Sequence, residues 1–173
     1  MKNYLSIILS TTLFSCSSIE VQETNTEVVE IDENIKFISY LDNDWQKNLD
    51  ENPLFASYVG DKRSNDKINS NSINQFNEER QSEIDSLNQL YEIDQSKLNE
   101  ENKLNFKLKE FGLKSNIGLT DFPIYYLRLN QRGGIQSFYE TGNRLVYNSK
   151  DDYVDWLSRL KQFPANIINS IEI

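Results

Sequence analysis

Apolar residues recur every three or four positions along much of the chain, which is the spacing of one face of an α-helix. The first such stripe ends before Pro53, because the residue that precedes a proline disfavours the helical conformation. We expect one amphipathic helix here, followed by a short helical turn at Pro53 and a polar loop that opens at Gly60 and Asp61. The residues of the stripe are Ile31, Ile35, Ile38, Leu41, Trp45 and Leu49.

A second helix is predicted to begin after Ser72, since a serine hydroxyl at the N-cap accepts a hydrogen bond from the free amides of the first turn. Its apolar stripe is completed at Arg80, whose aliphatic stem can lie along the other members. Those members are Ile73, Phe76, Ile84, Leu87 and Tyr91.

A third helix is predicted to begin after Asn99. Glu100 and Glu101 then fall in its first turn, where the positive end of the helix dipole favours acids. Gly112 is the predicted end of this helix, because glycine is common just beyond a helix C-terminus. The side that we expect to be buried consists of Leu104, Leu108 and Phe111.

Residues 113–148 differ from the rest, since they include aromatic residues and glycines but show no sustained helical period. Residues 124–129 predict a short extended segment, and Gly133 and Gly134 predict a turn. The chain is therefore expected to fold as a mainly α-helical, bundle-like array with one irregular loop.

A last helix is predicted to begin at Ser149, because Asp152 lies three residues later and completes a capping box. Pro164 is expected to interrupt this helix or to start a new one. The apolar pattern is still running at Ile173, so we expect the chain to be the N-terminal part of a larger all-helical protein. The stripe expected to be buried is Tyr153, Trp156, Leu157, Leu160, Ile167, Ile168 and Ile171.

The composition excludes several kinds of enzyme site. The 173 residues include no histidine and one cysteine, so this chain alone cannot form a Ser-His-Asp triad, a His-ligated zinc site or an internal disulfide. There are 18 basic and 27 acidic residues, a formal net charge of −9, which argues against a nucleic-acid partner. No catalytic residue, metal ligand or cofactor is therefore assigned within this chain.

Residues 1–15 have the features of a secretory signal, with Lys2 followed by an apolar run of about 11 residues that is too short to span a bilayer. Cys16 follows directly, in a sequence that resembles a bacterial lipobox, whose cysteine carries the lipid. The alternative is an ordinary cleaved signal with a coincidental cysteine. By the same resemblance, Ser17 favours the outer membrane facing the periplasm. Residues 16–31 are polar and acidic and are expected to be a tether.

The sequence richest in functional groups is the turn formed by Asn130, Gln131, Arg132, Gly133 and Gly134. An arginine and two amides on a flexible backbone are suited to binding a carboxylate or a peptide backbone, since a guanidinium donates two parallel hydrogen bonds. The alternative is a structural turn whose arginine pairs with one of the many acids.

Three segments, in this order, resemble the N-terminal part of the bacterial family called domain of unknown function 885. They are residues 52–61 (NPLFASYVGD), residues 129–135 (LNQRGGI) and residues 151–164 (DDYVDWLSRLKQFP). The resemblance covers roughly residues 31–173. It implies a largely helical, secreted or lipoprotein-anchored protein of several hundred residues.

The resemblance also implies a protein similar to zinc metallopeptidases, in which two histidines of an H-E-x-x-H helix bind the metal and the glutamate acts as general base. That helix belongs to the family's C-terminal half, and no residue of this chain can take its role. For this chain the resemblance implies a helical region over residues 32–173 and a turn at residues 130–134 that lines the substrate cleft. The full-length protein would act on a peptide. The alternative is a free-standing helical lipoprotein that binds a partner or ligand without catalysis.

Overall fold

A computed structural model describes residues 32–127 and 133–172 of the chain. These residues are mainly α-helical and include no β-strand, which confirms the predicted fold class. Short 3-10 turns cover Gln95–Lys97, Ile124–Leu127 and Ile135–Ser137. The α-helices are α1 (Glu33–Glu51), α2 (Pro53–Tyr58), α3 (Ile73–Tyr91), α4 (Glu100–Leu119), α5 (Tyr139–Arg144) and α6 (Lys150–Glu172).

The predicted N-caps are confirmed. The Ser72 side chain accepts a hydrogen bond from the backbone amide of Gln75, three residues into α3. The Asn99 side chain accepts one from the amide of Asn102, at 2.8 Å, at the start of α4. Each cap satisfies one of the backbone donors that the first turn of a helix leaves free.

The hydrophobic core lies where α1 packs against α3 and α4. The Phe37 ring of α1 is fully buried, and its centroid lies 6.0 Å from that of Phe106 on α4. Tyr40 adds a polar anchor, because its hydroxyl donates a buried hydrogen bond to the backbone carbonyl of Ser86 on α3. Burial in this position raises the pKa of Tyr40, so the phenol stays neutral. The buried cluster consists of Phe37, Tyr40, Leu90, Ile93, Leu98, Phe106 and Leu113.

The prediction of which face of α4 is buried is wrong. Leu104, Leu108 and Phe111 are 59%, 60% and 73% exposed, whereas Phe106 and Leu113 are 3% exposed. The helix carries two apolar stripes, and both have the spacing of a helix face. The stripe that contains Phe106 is buried because its ring fits against Phe37 of α1.

The predicted stripes of α1 and α3 are confirmed in part, since Leu49 is buried and Leu41 and Leu87 pack against the core. Ile35, Ile38 and Trp45 of the predicted α1 stripe are largely exposed, whereas Phe37 and Tyr40 of the same helix face the core. On α3, Ile73 and Tyr91 are exposed. In both helices, spacing alone could not choose between neighbouring stripes, because the partner helix decides which one is covered.

Gly112 does not end α4, which continues to Leu119. The helix ends at Thr120, whose hydroxyl accepts a hydrogen bond from Arg80 Nε at 2.8 Å. Arg80 also donates a hydrogen bond to Asp121. Its guanidinium therefore links α3 to the C-terminal end of α4, in addition to any contact that its aliphatic stem makes with the α3 stripe. A glycine in a helix interior costs only about 1 kcal/mol, which is small enough for α4 to continue past Gly112.

Two further predictions of local structure are wrong. Ile124–Leu127 forms a 3-10 turn where an extended segment was expected, and residues 128 and 129 lie outside the described residues. Pro164 neither interrupts the last helix nor starts a new one, since α6 is continuous from Lys150 to Glu172. The capping box at its start is confirmed, with the Asp152 carboxylate accepting from the Ser149 amide at 2.8 Å.

Most of the apolar stripe of α6 that was predicted to be buried is exposed, and the opposite face of the helix is buried instead. Leu157 and Ile171 are 55% and 77% exposed, while the buried residues are Asp152, Arg159 and Asn166. These polar residues are spaced seven apart, so they lie on one face of the helix. Trp156 is the partly buried member of the predicted stripe, and its ring stacks on Phe138.

Candidate ligand-binding site

The polar face of α6 packs against the segment between α2 and α3, which has little regular structure of its own. A segment of this kind has backbone carbonyls and amides that no helix ladder satisfies, so they need side-chain partners when they are covered. The inward residues of α6 supply those partners. This physical requirement explains why α6 buries polar side chains and leaves apolar ones outside.

Arg159 is the centre of this contact and is fully buried. Its Nε donates to the Lys67 carbonyl at 2.9 Å, and its Nη2 lies 2.6 Å from the Ser57 hydroxyl. Nη2 also lies 3.2 Å from each of the carbonyls of Pro53 and Ser64. Burial lowers the pKa of Arg159, an effect that the nearby acids oppose. One arginine therefore holds α2 and two points of the following segment to α6.

Gln162 and Asp152 extend the contact in both directions along α6. The Gln162 amide donates to the Asp66 carbonyl at 2.7 Å, and its oxygen accepts from the Ile68 amide. Asp152 forms an ion pair with Lys62. The Lys62 ammonium, the Asn148 amide and the hydroxyl and amide of Ser149 lower the pKa of Asp152 to about 2, so it stays ionised at neutral pH.

A pocket of about 290 Å³ lies beside this contact, and we call it the amide pocket. Three asparagines contribute to its wall, and the amide oxygen of Asn166 is buried with no hydrogen-bond partner in the part of the chain that the structure describes. Phe138 and Phe163 stack with their ring centroids 4.9 Å apart. The lining residues are Leu54, Ile68, Asn69, Asn71, Gly134, Phe138, Phe163 and Asn166.

A second pocket, of about 310 Å³, lies towards the start of α6 and is lined by cationic residues, among others. Its Lys62 is paired with Asp152, and its Arg144 donates to Glu140 at 3.1 Å. Both cations therefore already have carboxylate partners. The amide pocket is the stronger candidate because apolar, aromatic and amide side chains line it together.

The predicted site residues are only partly covered by the structure. Cys16, the signal over residues 1–15 and the tether over residues 16–31 lie outside the described residues, as do Asn130, Gln131 and Arg132. Gly133 and Gly134 are described, and Gly134 lines the amide pocket. Gly134 has φ of 140°, a conformation that residues with a side chain rarely adopt. The predicted turn is therefore next to the pocket at its described end.

Sequence reasoning assigned Asp152 only to the capping box, and it missed Arg159 and Asn166, which also organise the site. A signal for them was present, because the three polar residues recur every seven positions through the last helix. Asp155 and Gln162 continue the same face and also bond to the facing segment. A polar stripe ordinarily faces water, so this spacing alone did not indicate burial, and the apolar stripe on the other side was predicted to face the core.

Replacing Gly142 with alanine is expected to destabilise the protein by about 1–2 kcal/mol, because over-packing forces its neighbours to shift. A Cβ at this position would lie 2.6 Å from Cζ2 of Trp156, a ring held by its stack on Phe138. Urea unfolding followed by circular dichroism measures the change.

The matched control is Gly112→Ala in α4, where a Cβ would meet nothing within 4 Å. This substitution is expected to stabilise the protein by about 0.5–1 kcal/mol through helix propensity. Equal stabilisation by both substitutions would contradict the close packing of α5 on Trp156.

Comparison with known proteins found no matching family model, curated protein or solved structure. The described residues contain no group of three or more histidine, cysteine, aspartate or glutamate side chains placed to hold a metal ion. No helix in residues 32–127 or 133–172 is long and apolar enough to cross a membrane.

Proposed function

We propose that these helices form the non-catalytic N-terminal part of a membrane-anchored bacterial lipoprotein similar to the domain of unknown function 885 family. In this proposal Cys16 carries the lipid, and the protein is anchored at the outer membrane facing the periplasm. Zinc-dependent peptidase chemistry is supplied by an H-E-x-x-H part outside these 173 residues. The described helices support that part and present the turn at residues 130–134 to its peptide substrate.

The observation that carries the proposal is the apolar face of α6. Its side chains point away from the rest of the described residues, although it has the spacing of a face that packs on another helix. Large contiguous apolar surfaces on soluble proteins usually mark an interaction site. The exposed residues are Tyr153, Val154, Leu157, Leu160, Ile167, Ile168 and Ile171.

A second exposed apolar stripe on α4 supports the same conclusion. Leu104, Leu108 and Phe111 follow one another at helical spacing and are each more than half exposed. The two stripes lie on separate helices, α4 and α6. Two exposed apolar stripes are expected for an N-terminal part that packs against a further helical region. A free-standing binding module is the alternative, and the amide pocket is the observation that favours it.

Two substitutions in the α6 face test the proposal. The tagged protein is purified in mild detergent from the membranes of its own bacterium. Its zinc content and its hydrolysis of peptides are measured, and mass spectrometry is used to search it for an H-E-x-x-H sequence. We expect about one zinc per chain and hydrolysis that a chelator abolishes. The double variant Leu157→Asp and Ile168→Asp should lose most of both, because two buried charges disrupt an apolar interface.

The matched control is Asn74→Asp with Asn77→Asp, which adds the same charge at exposed positions on α3. This variant is expected to keep its zinc and its activity. Unaltered zinc and hydrolysis in the α6 variant would contradict the interface. Wild-type protein without zinc and without an H-E-x-x-H sequence would favour the free-standing module.

The anchor is tested by Cys16→Ser. We expect the variant to leave the membrane fraction, since the lipid chains supply the apolar contacts that hold such a protein to a bilayer. Fractionation and immunoblotting measure the change, with Ser17→Ala as the control that keeps the cysteine. Unchanged sedimentation of Cys16→Ser would contradict the lipid anchor.

A further inference from the structure

The two cations of the second pocket are open to a ligand. Lys62 and Arg144 both line this pocket of about 310 Å³, which we call the cationic pocket. Their side chains are 54% and 67% exposed. The pocket lies between α2, with the residues that follow it, and the segment that joins α5 to α6. Both charged groups are therefore within reach of a molecule that enters the pocket.

The carboxylate partners of these cations leave most of their donors available. Glu140, the partner of Arg144, is not one of the described residues that line the pocket, and the Asp152 side chain is only 4% exposed. An ammonium carries three N–H donors and a guanidinium carries five. Among the described residues, Lys62 donates one hydrogen bond to Asp152, and Arg144 donates one to Glu140. The pocket therefore presents several cationic N–H donors, which suit an anionic acceptor.

The negative charge of Asp152 is stabilised by more than Lys62. The backbone amides of Asn148 and Ser149 each donate to its carboxylate at 2.8 Å. Asp152 also lies in the first turn of α6, where the positive end of the helix dipole favours an acid. A second carboxylate on the other donors of Lys62 therefore does not leave Asp152 without partners.

Aromatic rings form a further part of the wall. Tyr147 and Trp156 line the pocket, and both rings are held in place. The Tyr147 ring stacks on Tyr153 with centroids 4.7 Å apart, and its hydroxyl donates to the Gly142 carbonyl. The Trp156 ring stacks on Phe138 with centroids 5.4 Å apart. Fixed aromatic surfaces of this kind suit a flat apolar group, since ring pairs add to the gain from apolar burial.

The size of the pocket limits the ligand. A volume of about 310 Å³ lies near the lower end of the range for small-molecule sites, which is about 300–1,000 Å³. That volume suits one aromatic ring with a short acid-bearing chain better than a long polymer.

We infer that the cationic pocket binds a carboxylate that carries an aromatic ring. The carboxylate accepts hydrogen bonds from Lys62 and Arg144, and the ring lies against Tyr147 and Trp156. Such a group is found at the C-terminus of a peptide and in a free aromatic acid, and the two sources share this chemistry. The inference does not rest on the proposed peptidase, because it uses only residues of this chain.

The test uses the complete 173-residue chain, followed by ¹H–¹⁵N NMR spectra during titration with 3-phenylpropionate and, separately, with N-acetyl-phenylalanine. We expect saturable shifts of the Trp156 indole N–H and of the Tyr147 amide, with a Kd on the order of 1 mM for ligands of this size. The indole of Trp45, which is not among the described lining residues, is the internal control and should not move. Tighter binding of N-acetyl-phenylalanine would assign the site to a peptide C-terminus, and tighter binding of 3-phenylpropionate to a free acid.

Two further ligands separate the charge from the ring. The neutral amide 3-phenylpropanamide should bind at least tenfold more weakly, because hydrogen bonds to a charged group contribute about 1.5–3 kcal/mol. Acetate, which has the carboxylate and no ring, should also bind at least tenfold more weakly.

Arg144→Gln removes one of the two cations and should weaken the binding of 3-phenylpropionate about tenfold. Its exposed pair with Glu140 contributes little to stability, so this variant is expected to fold. The matched control is Lys107→Gln at an exposed position on α4, which removes the same charge and should leave the Kd unchanged.

Four results would overturn the inference. Shifts that stay linear with concentration would mean that no site exists. Equal binding of 3-phenylpropanamide would remove the carboxylate from the argument, and equal binding of acetate would remove the ring. An unchanged Kd for Arg144→Gln would place the ligand elsewhere. Because none of these measurements involves zinc or hydrolysis, their failure is separate from a failure of the proposed function.

Discussion

Arg159→Ala is expected to destabilise the protein by about 3–5 kcal/mol. The loss is large because the guanidinium is the hydrogen-bond partner of three backbone carbonyls, at Pro53, Ser64 and Lys67. Each acceptor left buried and unpaired costs about 1–3 kcal/mol. Urea unfolding gives the free energy, and hydrogen exchange is expected to speed up first in residues 61–71, which lose their anchor on α6.

Arg144→Ala is the control, because this arginine is exposed and pairs with Glu140 one turn earlier in α5. Such a pair contributes about 0.5 kcal/mol or less. Arg159→Lys is expected to recover only part of the loss, since an ammonium cannot reach the same set of acceptors as a planar guanidinium. A cost below 1 kcal/mol for Arg159→Ala would show that the segment between α2 and α3 does not depend on this residue.

Phe37→Ala is expected to cost about 3–5 kcal/mol, the usual range for removing a buried aromatic side chain from a core. The ring is fully buried and touches both its neighbour Tyr40 and Phe106 on α4. The cavity that remains cannot close without moving α1 towards α4. Thermal unfolding and urea unfolding should agree on the loss, because one core connects the three helices.

Phe111→Ala provides a matched comparison, since it removes the same ring from an α4 position that is 73% exposed. A change within about 0.5 kcal/mol is expected, as for surface substitutions away from special features. These values apply to the 173-residue chain on its own. A cost close to that of Phe37→Ala there would mean that the stripe is covered in this chain, which would contradict its exposure.

Local signals in the sequence predicted the helices well, and tertiary packing explains where they failed. Ser72, Asn99 and Ser149 each act within three or four residues, so a cap can be recognised without knowledge of the rest of the fold. Which face of a helix is buried depends on residues far away in the chain. Phe106 faces inward because Phe37 lies opposite, and no local pattern contains that pairing.

The candidate site was harder to predict because it reverses the usual relation between burial and polarity. Arg159 and Asn166 lie on the polar side of an amphipathic helix, which ordinarily faces water. Their burial follows from the irregular segment that faces them, whose backbone needs hydrogen-bond partners. Gly134 of the predicted turn lines the pocket, and the turn itself, with Asn130, Gln131 and Arg132, remains a prediction.

The contact between α6 and the segment before α3 is mainly polar, whereas the core around Phe37 is mainly apolar. The stability of these two parts therefore depends on temperature in different ways. The core around Phe37 depends on apolar burial, whose contribution weakens as water is cooled. The contact around Arg159 is built from hydrogen bonds and buries less apolar surface, so its opening carries a smaller change in heat capacity. On cooling, the fraction of the total stability that comes from the α6 contact therefore rises. The last helix then becomes more resistant to local unfolding relative to the apolar core.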